Sequence, residues 1–557
     1  MTVRLAFVTY ETPYAPCGGI AAVMGRLPRQ IEKASGLSVV VITPFHHRIA
    51  KTASLAMEPV GSFRVPHGGA ALQADLLRYE EGVSWIFLRV GDPRFFAGRR
   101  HPYDVASSPG ETGAALLRDS LLFGAAAARA LEVMDPEARW VLLLQDWEAA
   151  TLALALAGTG SRHLCYLTLH NSYDSPASNW DLLLAGLNPD ACPGQTVLDR
   201  ALARVEWPIF TVSEPFSLEL TEDLLQAEIL APHLRDRLRP RLVGVNNGPF
   251  ADLAVPETVA AEAACGKIES FVEWKEAGRR EFLKALDALA AGGPGPIWGD
   301  PCRFRRDRAP WFVLAGRDDA RQKGYDVAVE AAASVLEQGA EARFLFFPIP
   351  GDEGIDGLGF VKDLAERFPE KVLAMPFLFR EGYFAALRGA AFGVMPSLYE
   401  PFGMANEFYL NGAAGIGRAT GGILLQIVPL RAAASFSQAV EARSSRWHAP
   451  SAAPTGILYR EPDDLPDALE DWRAITQDSC QGGLRAASRP VRRRALGLFR
   501  AMAWELEIAL FDGIRLFVQA PDLYFSMLAE GIRHIRRTLS WERTAQEYLR
   551  RIEIRPS

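Results

Sequence analysis

The sequence has no cysteine framework. Its six cysteines (Cys17, Cys165, Cys192, Cys265, Cys302, Cys480) are scattered without a C-x-x-C pair, which excludes a disulfide scaffold and a zinc-ligand spacing and fits a reducing cytoplasm. Long apolar runs are also missing. Leu152 to Gly158 and Gly124 to Leu131 fall well short of the roughly 18 residues that a spanning helix needs, so no membrane crossing is expected. The first apolar stretch, Val3 to Tyr10, is interrupted by Arg4 and has no small-residue cleavage site; it reads as a strand and not as a signal peptide. Positive charge is not in excess, with 60 Lys and Arg against 67 Asp and Glu and a formal charge of -7. Nucleic acid and anionic membranes are therefore not expected as partners. No fixed-period repeat or long low-complexity tract occurs, and 49% hydrophobic with 23% charged residues is ordinary globular usage.

At about 150 residues per domain, 557 residues allow two large units or three to four smaller ones. The segments VRLAFVTY, LSVVVITPF, VSWIFLRV, WVLLLQDW, HLCYLTLH and PIFTVS alternate with longer helical patterns, as βαβ units around a mainly parallel sheet do. After the Gly/Pro-rich stretch Gly292 to Ala309 the same grammar restarts with PWFVLAGR, ARFLFFPIP, KVLAMPF and AFGVMPS. The expectation is an α/β protein of two Rossmann-like, doubly wound domains, 1–300 and 301–520, followed by a helical segment, 521–557. The arginines Arg485, Arg489, Arg492, Arg493 and Arg494 read as a solvated helix face.

Doubly wound domains bind ligands at the carboxyl ends of their strands, where Gly-rich loops and helix starts hold phosphate. Four places meet that description. The first strand runs into a loop where Gly18 and Gly19 would bring backbone amides to an anion, a plain turn being the alternative. FVLAG delivers Gly316, Arg317 and Lys323 just past a strand end, where two cations can neutralise a diphosphate. Glu400 follows a strand in a Pro/Gly-shaped turn, where a carboxylate can accept from sugar hydroxyls. Thr420, Gly421 and Gly422 offer another amide cradle.

In this order the four resemble the glycogen and starch synthases, retaining glucosyltransferases of GT-B architecture. The likeness runs through P-C-G-G-I at Pro16 to Ile20, QDW at Gln145 to Trp147, LHN at Leu169 to Asn171, TVS at Thr211 to Ser213 and Asn247-Gly248. It continues through GR...QKG at Gly316 to Gly324, PSLYEPFG at Pro396 to Gly403, TGG at Thr420 to Gly422 and LSWERTAQEYL at Leu539 to Leu549. The resemblance implies two domains facing a cleft, with a C-terminal helix crossing back to the first. It implies transfer of α-glucose from ADP- or UDP-glucose to an α-1,4-glucan, or to a small acceptor such as glycerol or a sugar. A catalytically silent partner that binds glucan or sugar nucleotide is the reading from another class. Arg317, Lys323, Glu400 and His170 would be catalytic. Gly18, Gly19, Gly316, Glu407, Thr420, Gly421 and Gly422 would lie on the donor, and Asp146, Trp147, Glu148, Asn171 and Asn247 on the acceptor side. No cofactor or metal is implied, because Arg and Lys take the cation's place; Asp318 and Asp319 are adjacent and make a poor metal site.

The chain also departs from the family. Pro16 stands where synthases carry Lys, D-W-H becomes Asp146-Trp147-Glu148, and the second acid after Glu400 falls one position early, at Glu407, as a candidate ribose contact. Gly415, Gly417 and Gly421 form a G-x-G-x-x-x-G that follows a helical pattern, so no dinucleotide site is expected there.

Overall fold

The computed structural model describes residues 2–50, 55–96, 102–103, 112–304, 309–351, 353–480 and 488–554. It divides into two compact units, Met1–Gly248 with Ser540–Ser557, and Pro249–Leu539.

The first unit is built on β1 (Val3–Val8), β2 (Val39–Pro44), β3 (Glu58–His67), β4 (Ala70–Glu81), β5 (Val83–Val90), β6 (Arg139–Gln145), β7 (Leu164–Leu169), β8 (Ile209–Thr211) and β9 (Leu242–Gly244). They form one sheet in the order β3-β4-β5-β2-β1-β6-β7-β8-β9. The pairs from β5 through β9 are parallel. Strands such as β2 and β6 are buried almost throughout, which is why they read as continuous apolar runs. The antiparallel hairpin β3-β4 escaped the sequence reading. Its turn is Gly68-Gly69, both at positive φ, and most of β3 is not buried, so its apolar signal is diluted.

The final helix, Trp541–Arg551, belongs to this unit and packs on the helix Leu27–Ser35. Thr168 and the Tyr548 hydroxyl lie 3.1 Å apart. Thr544 donates to the Asn246 carbonyl at 2.7 Å, and the Glu553 amide donates to the Tyr166 hydroxyl at 2.9 Å.

The second unit carries β10 (Trp311–Arg317), β11 (Arg343–Ile349), β12 (Val372–Ala374), β13 (Phe392–Met395), β14 (Ala414–Arg418) and β15 (Ile457–Tyr459). They form a sheet in the order β12-β11-β10-β13-β14-β15, parallel throughout. Gly415 and Gly417 lie on β14 itself, which follows the helix Ala405–Leu410 as the sequence suggested. A side chain on Gly415 would meet Ile427 at 2.7 Å, so small residues are required where the strand packs closely.

The unit boundaries correct the expected ones. They fall at Gly248 and Leu539, not at 300 and 520, because the helix Glu269–Ala290 is anchored in the second unit. Lys275, wholly buried, donates to the carbonyls of Ala390 and Gly412, and burial pushes its pKa well below the usual lysine range. Arg279 donates to the carbonyls of Gly389 and Ala309. The helix Pro521–Thr538 also stays here, with Tyr524 donating to the Ala391 carbonyl at 2.6 Å.

The arginine cluster is corrected too. Arg489 and Arg493 are buried in ion pairs with Asp318 and Asp326; Arg485 lies outside the described residues. Replacing Lys275 by Ala strips two buried carbonyls of their donor. We expect a loss of about 3 kcal/mol, measured as a lowered urea midpoint; an unchanged midpoint would show that the anchor contributes nothing.

Candidate active site

In each unit the side chains singled out in the sequence follow the carboxyl ends of parallel strands. In the first unit β6 leads directly into the helix Asp146–Leu156, and Asp146 makes the corner at φ +61. That is a left-handed conformation that an Asp tolerates better than most residues. Its carboxylate accepts from the His170 amide at 2.6 Å and from Asn171 Nδ2 at 3.2 Å. The β6 and β7 corners are thereby tied together. Burial raises this carboxyl to about 7, against the pull of those hydrogen bonds.

The His170 ring meets Gln145 Oε1 at 2.9 Å, while Gln145 Nε2 is spent on the Leu143 carbonyl. A carbonyl oxygen only accepts, so His170 carries its proton on Nε2 and presents a lone pair at Nδ1. Burial lowers its pKa to about 3, so the ring is neutral.

Glu148 is 5% exposed, its Oε2 has no protein partner, and burial followed by the charge of Asp146 drives its carboxyl well above the usual range. Trp147 packs in the hydrophobic core of this unit. Asn171 also fixes its own loop by accepting from the Tyr173 amide at 2.6 Å. Asn247 is buried just past β9.

The first glycine loop is not an open cradle. Glu11 Oε1 accepts from the amides of Cys17, Gly18 and Ala21 at 3.0, 2.5 and 3.1 Å. An anion of the chain's own thus fills the nest proposed for a phosphate, while Gly19 is exposed at the start of the next helix. An acid seven positions before a Gly-Gly pair was the available signal, and sequence reasoning missed it.

In the second unit Lys323 Nζ lies 2.8 Å from Glu400 Oε2, which also accepts from Ser397 Oγ at 2.9 Å. Neither contact uses Oε1. The loops after β10 and β13 can meet because Gly324 sits at φ +62, where a side chain would come within 2.2 Å of the Pro396 carbonyl oxygen. Leu314, Ala315, Lys323, Ser397 and Glu400 line a small pocket at these strand ends. Arg317, the last residue of β10, is 3.5 Å from Asp319, and Gly316 before it has φ +125.

In the T-G-G turn Thr420 is buried, Gly421 has φ +46, and the Gly422 amide donates to the Glu400 carbonyl at 2.9 Å. That amide supports Glu400 and does not face an open cradle. Glu407 accepts from the Tyr383 hydroxyl at 2.5 Å, and burial raises its carboxyl.

The fold is that of the GT-B glycosyltransferases. Over 95% of this chain and all of the other, it superimposes with a TM-score of 0.61 and 16% identity on the catalytic domain of Starch Synthase IV from Arabidopsis thaliana, bound to ADP and acarbose. The family described as "Starch synthase catalytic domain" matches residues 4–231. The chain is 26% identical to a glycogen synthase of Kosmotoga olearia over 447 residues, covering 76% of this chain and 83% of that one. It is also 26% identical to glycogen synthase 2 of Agrobacterium fabrum over 514 residues, covering 85% and 86%. It is thus glycogen synthase-like in sequence and GT-B in fold.

Asp146→Asn keeps the corner's tolerance for positive φ and removes the charge. The native carboxyl titrates above its unfolded value of about 3.9, so its contribution to stability is complete below about pH 4 and fades as pH rises through about 7. The variant should lack that loss. We expect its melting temperature relative to the parent to climb between pH 4 and 7; a constant difference would show that the carboxyl is not raised.

Proposed function

We propose that the chain is a retaining glucosyltransferase that moves α-glucose from ADP-glucose or UDP-glucose to the 4-hydroxyl of an α-1,4-glucan. The observation that carries this reading is the Lys323–Glu400–Ser397 constellation at the ends of β10 and β13, with Arg317 at the head of the same loop. Two cations so placed stabilise the charge that grows on a departing diphosphate, and a well-aimed donor of this kind contributes roughly 3 to 4 kcal/mol. They supply the charge that a metal supplies in other transferases.

Glu400 Oε1 is available to a sugar hydroxyl. The neutral His170 offers Nδ1 to a hydroxyl near the anomeric carbon without adding positive charge. On the front face the leaving phosphate helps to take the acceptor's proton, which gives retention. Support also comes from the starch synthase neighbour, whose structure contains ADP and acarbose.

A second reading keeps the chemistry but uses a small hydroxylated acceptor, glycerol or a sugar. The unpartnered, buried oxygen of Glu148 favours it, because such a group suits a compact polyol.

Incubation with labelled ADP-glucose and UDP-glucose, with glycogen in one series and glycerol or small sugars in the other, separates the readings. Ethanol-precipitable label supports the glucan, and a soluble neutral glucoside supports the small acceptor. No binding of either nucleotide sugar would remove both. Lys323→Ala and Glu400→Ala should each cut turnover at least a hundredfold with the fold intact; near-normal rates in both would mean that the donor site lies elsewhere.

A further inference from the structure

The loop that joins Arg317, at the end of β10, to Lys323 has a turn of its own, in which the Gln322 and Lys323 amides donate to the Asp319 carbonyl, and is held further from outside. Residues 318–324 lie between β10 and the helix Tyr325–Glu337, and the Asp318 amide is pinned to the Ile349 carbonyl at 2.8 Å. Beneath the loop runs the short helix Arg489–Arg493. Arg489 grips Asp318 with both prongs of its guanidinium, Nη1 to Oδ1 and Nη2 to Oδ2, each at 2.9 Å. The same Nη2 reaches Glu353 Oε2 at 3.0 Å, in the loop that follows β11. One turn on, Arg493 Nη1 donates to the Ala320 carbonyl at 3.0 Å and to Asp326 Oδ2 at 2.8 Å. Both arginine side chains are 2% exposed.

Buried pairs of this kind are poor sources of net stability, because desolvation offsets much of the attraction, whereas apolar packing would serve as well. What they supply is geometry. A two-pronged guanidinium–carboxylate contact fixes distance and orientation together, as Arg489 does on Asp318, while Arg493 holds the far side of the loop through single bonds to the Ala320 carbonyl and Asp326. Asp318 adjoins Arg317, and its charge is answered by Arg489 before it can draw on Arg317.

Resting on the donor reading above, we propose that Arg489 and Arg493 are positioning residues of the nucleotide-sugar site. They clamp the 318–326 loop from below, so that Arg317 and Lys323 are held where the diphosphate develops its charge. Tolerances at such sites are about 0.5 Å, so a slackened clamp costs turnover more than binding.

Two substitutions loosen the clamp without removing the cations. Arg489→Lys keeps the charge and loses the fork; Asp318→Asn keeps the shape and loses the charge. In the full chain each should lower kcat at least tenfold and change KM for the nucleotide sugar less than threefold. Asp318→Asn, which leaves the buried Arg489 with Glu353 as its remaining carboxylate, should also lower the melting temperature, so the KM-against-kcat split and the Arg317→Ala background are what distinguish positioning from stability. In an Arg317→Ala background either substitution should cost clearly less in kcat than in the parent, since the part of the clamp's effect that runs through Arg317 is already lost and only the part through Lys323 remains. If Arg489→Lys does not fold, Asp318→Asn is read alone. Fully multiplicative losses in the two backgrounds, or a parent-like kcat in the single variants, overturn the clamp while an active parent upholds the donor site. A parent chain that neither turns over ADP-glucose or UDP-glucose nor binds ADP or UDP overturns the donor site and the clamp with it.

Discussion

The contact between Lys323 and Glu400 is the constraint around which the second unit is arranged. It requires two loops from neighbouring parallel strands to meet over the sheet edge, and each surrounding detail serves that meeting. Gly324 removes the side chain that would strike Pro396. The Leu398 amide reaches the Gln322 carbonyl at 2.7 Å, and the Gly422 amide supports the Glu400 carbonyl from the third loop. Parallel strands present their carboxyl ends together, so the sheet order β10-β13-β14 is what puts these three loops side by side.

The first unit solves the same kind of problem with an acid in place of an ion pair. Asp146 turns the corner after β6 and accepts from the corner after β7, while Glu11 organises the loop after β1. Both are buried acids that accept from backbone amides of loops. The second unit does the reverse with Lys275, whose buried amino group donates to two backbone carbonyls. In each case a buried ionisable side chain gathers backbone groups at an end of the parallel strands, the carboxyl ends for Asp146 and Glu11 and the amino ends of β13 and β14 for Lys275.

What could be read from the sequence follows from burial. Strands buried on both faces, such as β6 and β10, appear as apolar runs, and the strand-end positions of Lys323 and Glu400 follow from them. The hairpin β3-β4, with one face toward solvent, and β14, made of Ala, Gly, Ile and Arg, carry no such run. Glycines show that a backbone approaches something, but not what. Gly18 and Gly422 were legible as close approaches, yet their amides go to Glu11 and to the Glu400 carbonyl and not to an open cradle. Asp318 and Arg489 are separated by 171 positions, and only the fold brings them together. The domain boundary was misplaced for a similar reason: the Gly/Pro-rich stretch near Gly292 marks a turn within the second unit, and the helix before it is anchored by carbonyls more than a hundred positions away.

The first unit is discontinuous, since residues 540–557 complete it after the whole second unit has intervened. On a ribosome adding about 5 to 20 residues per second, the strands around Tyr166, Thr168 and Phe210 wait on the order of tens of seconds for the helix that carries Tyr548. Strands β1 to β9 of the first unit are made before β10 to β15 of the second, but the contiguous second unit is complete before the closing helix emerges. The order of completion is therefore inverted relative to the order in which the units begin, and a surface destined to be buried stays open longest in the part of the molecule that is made earliest.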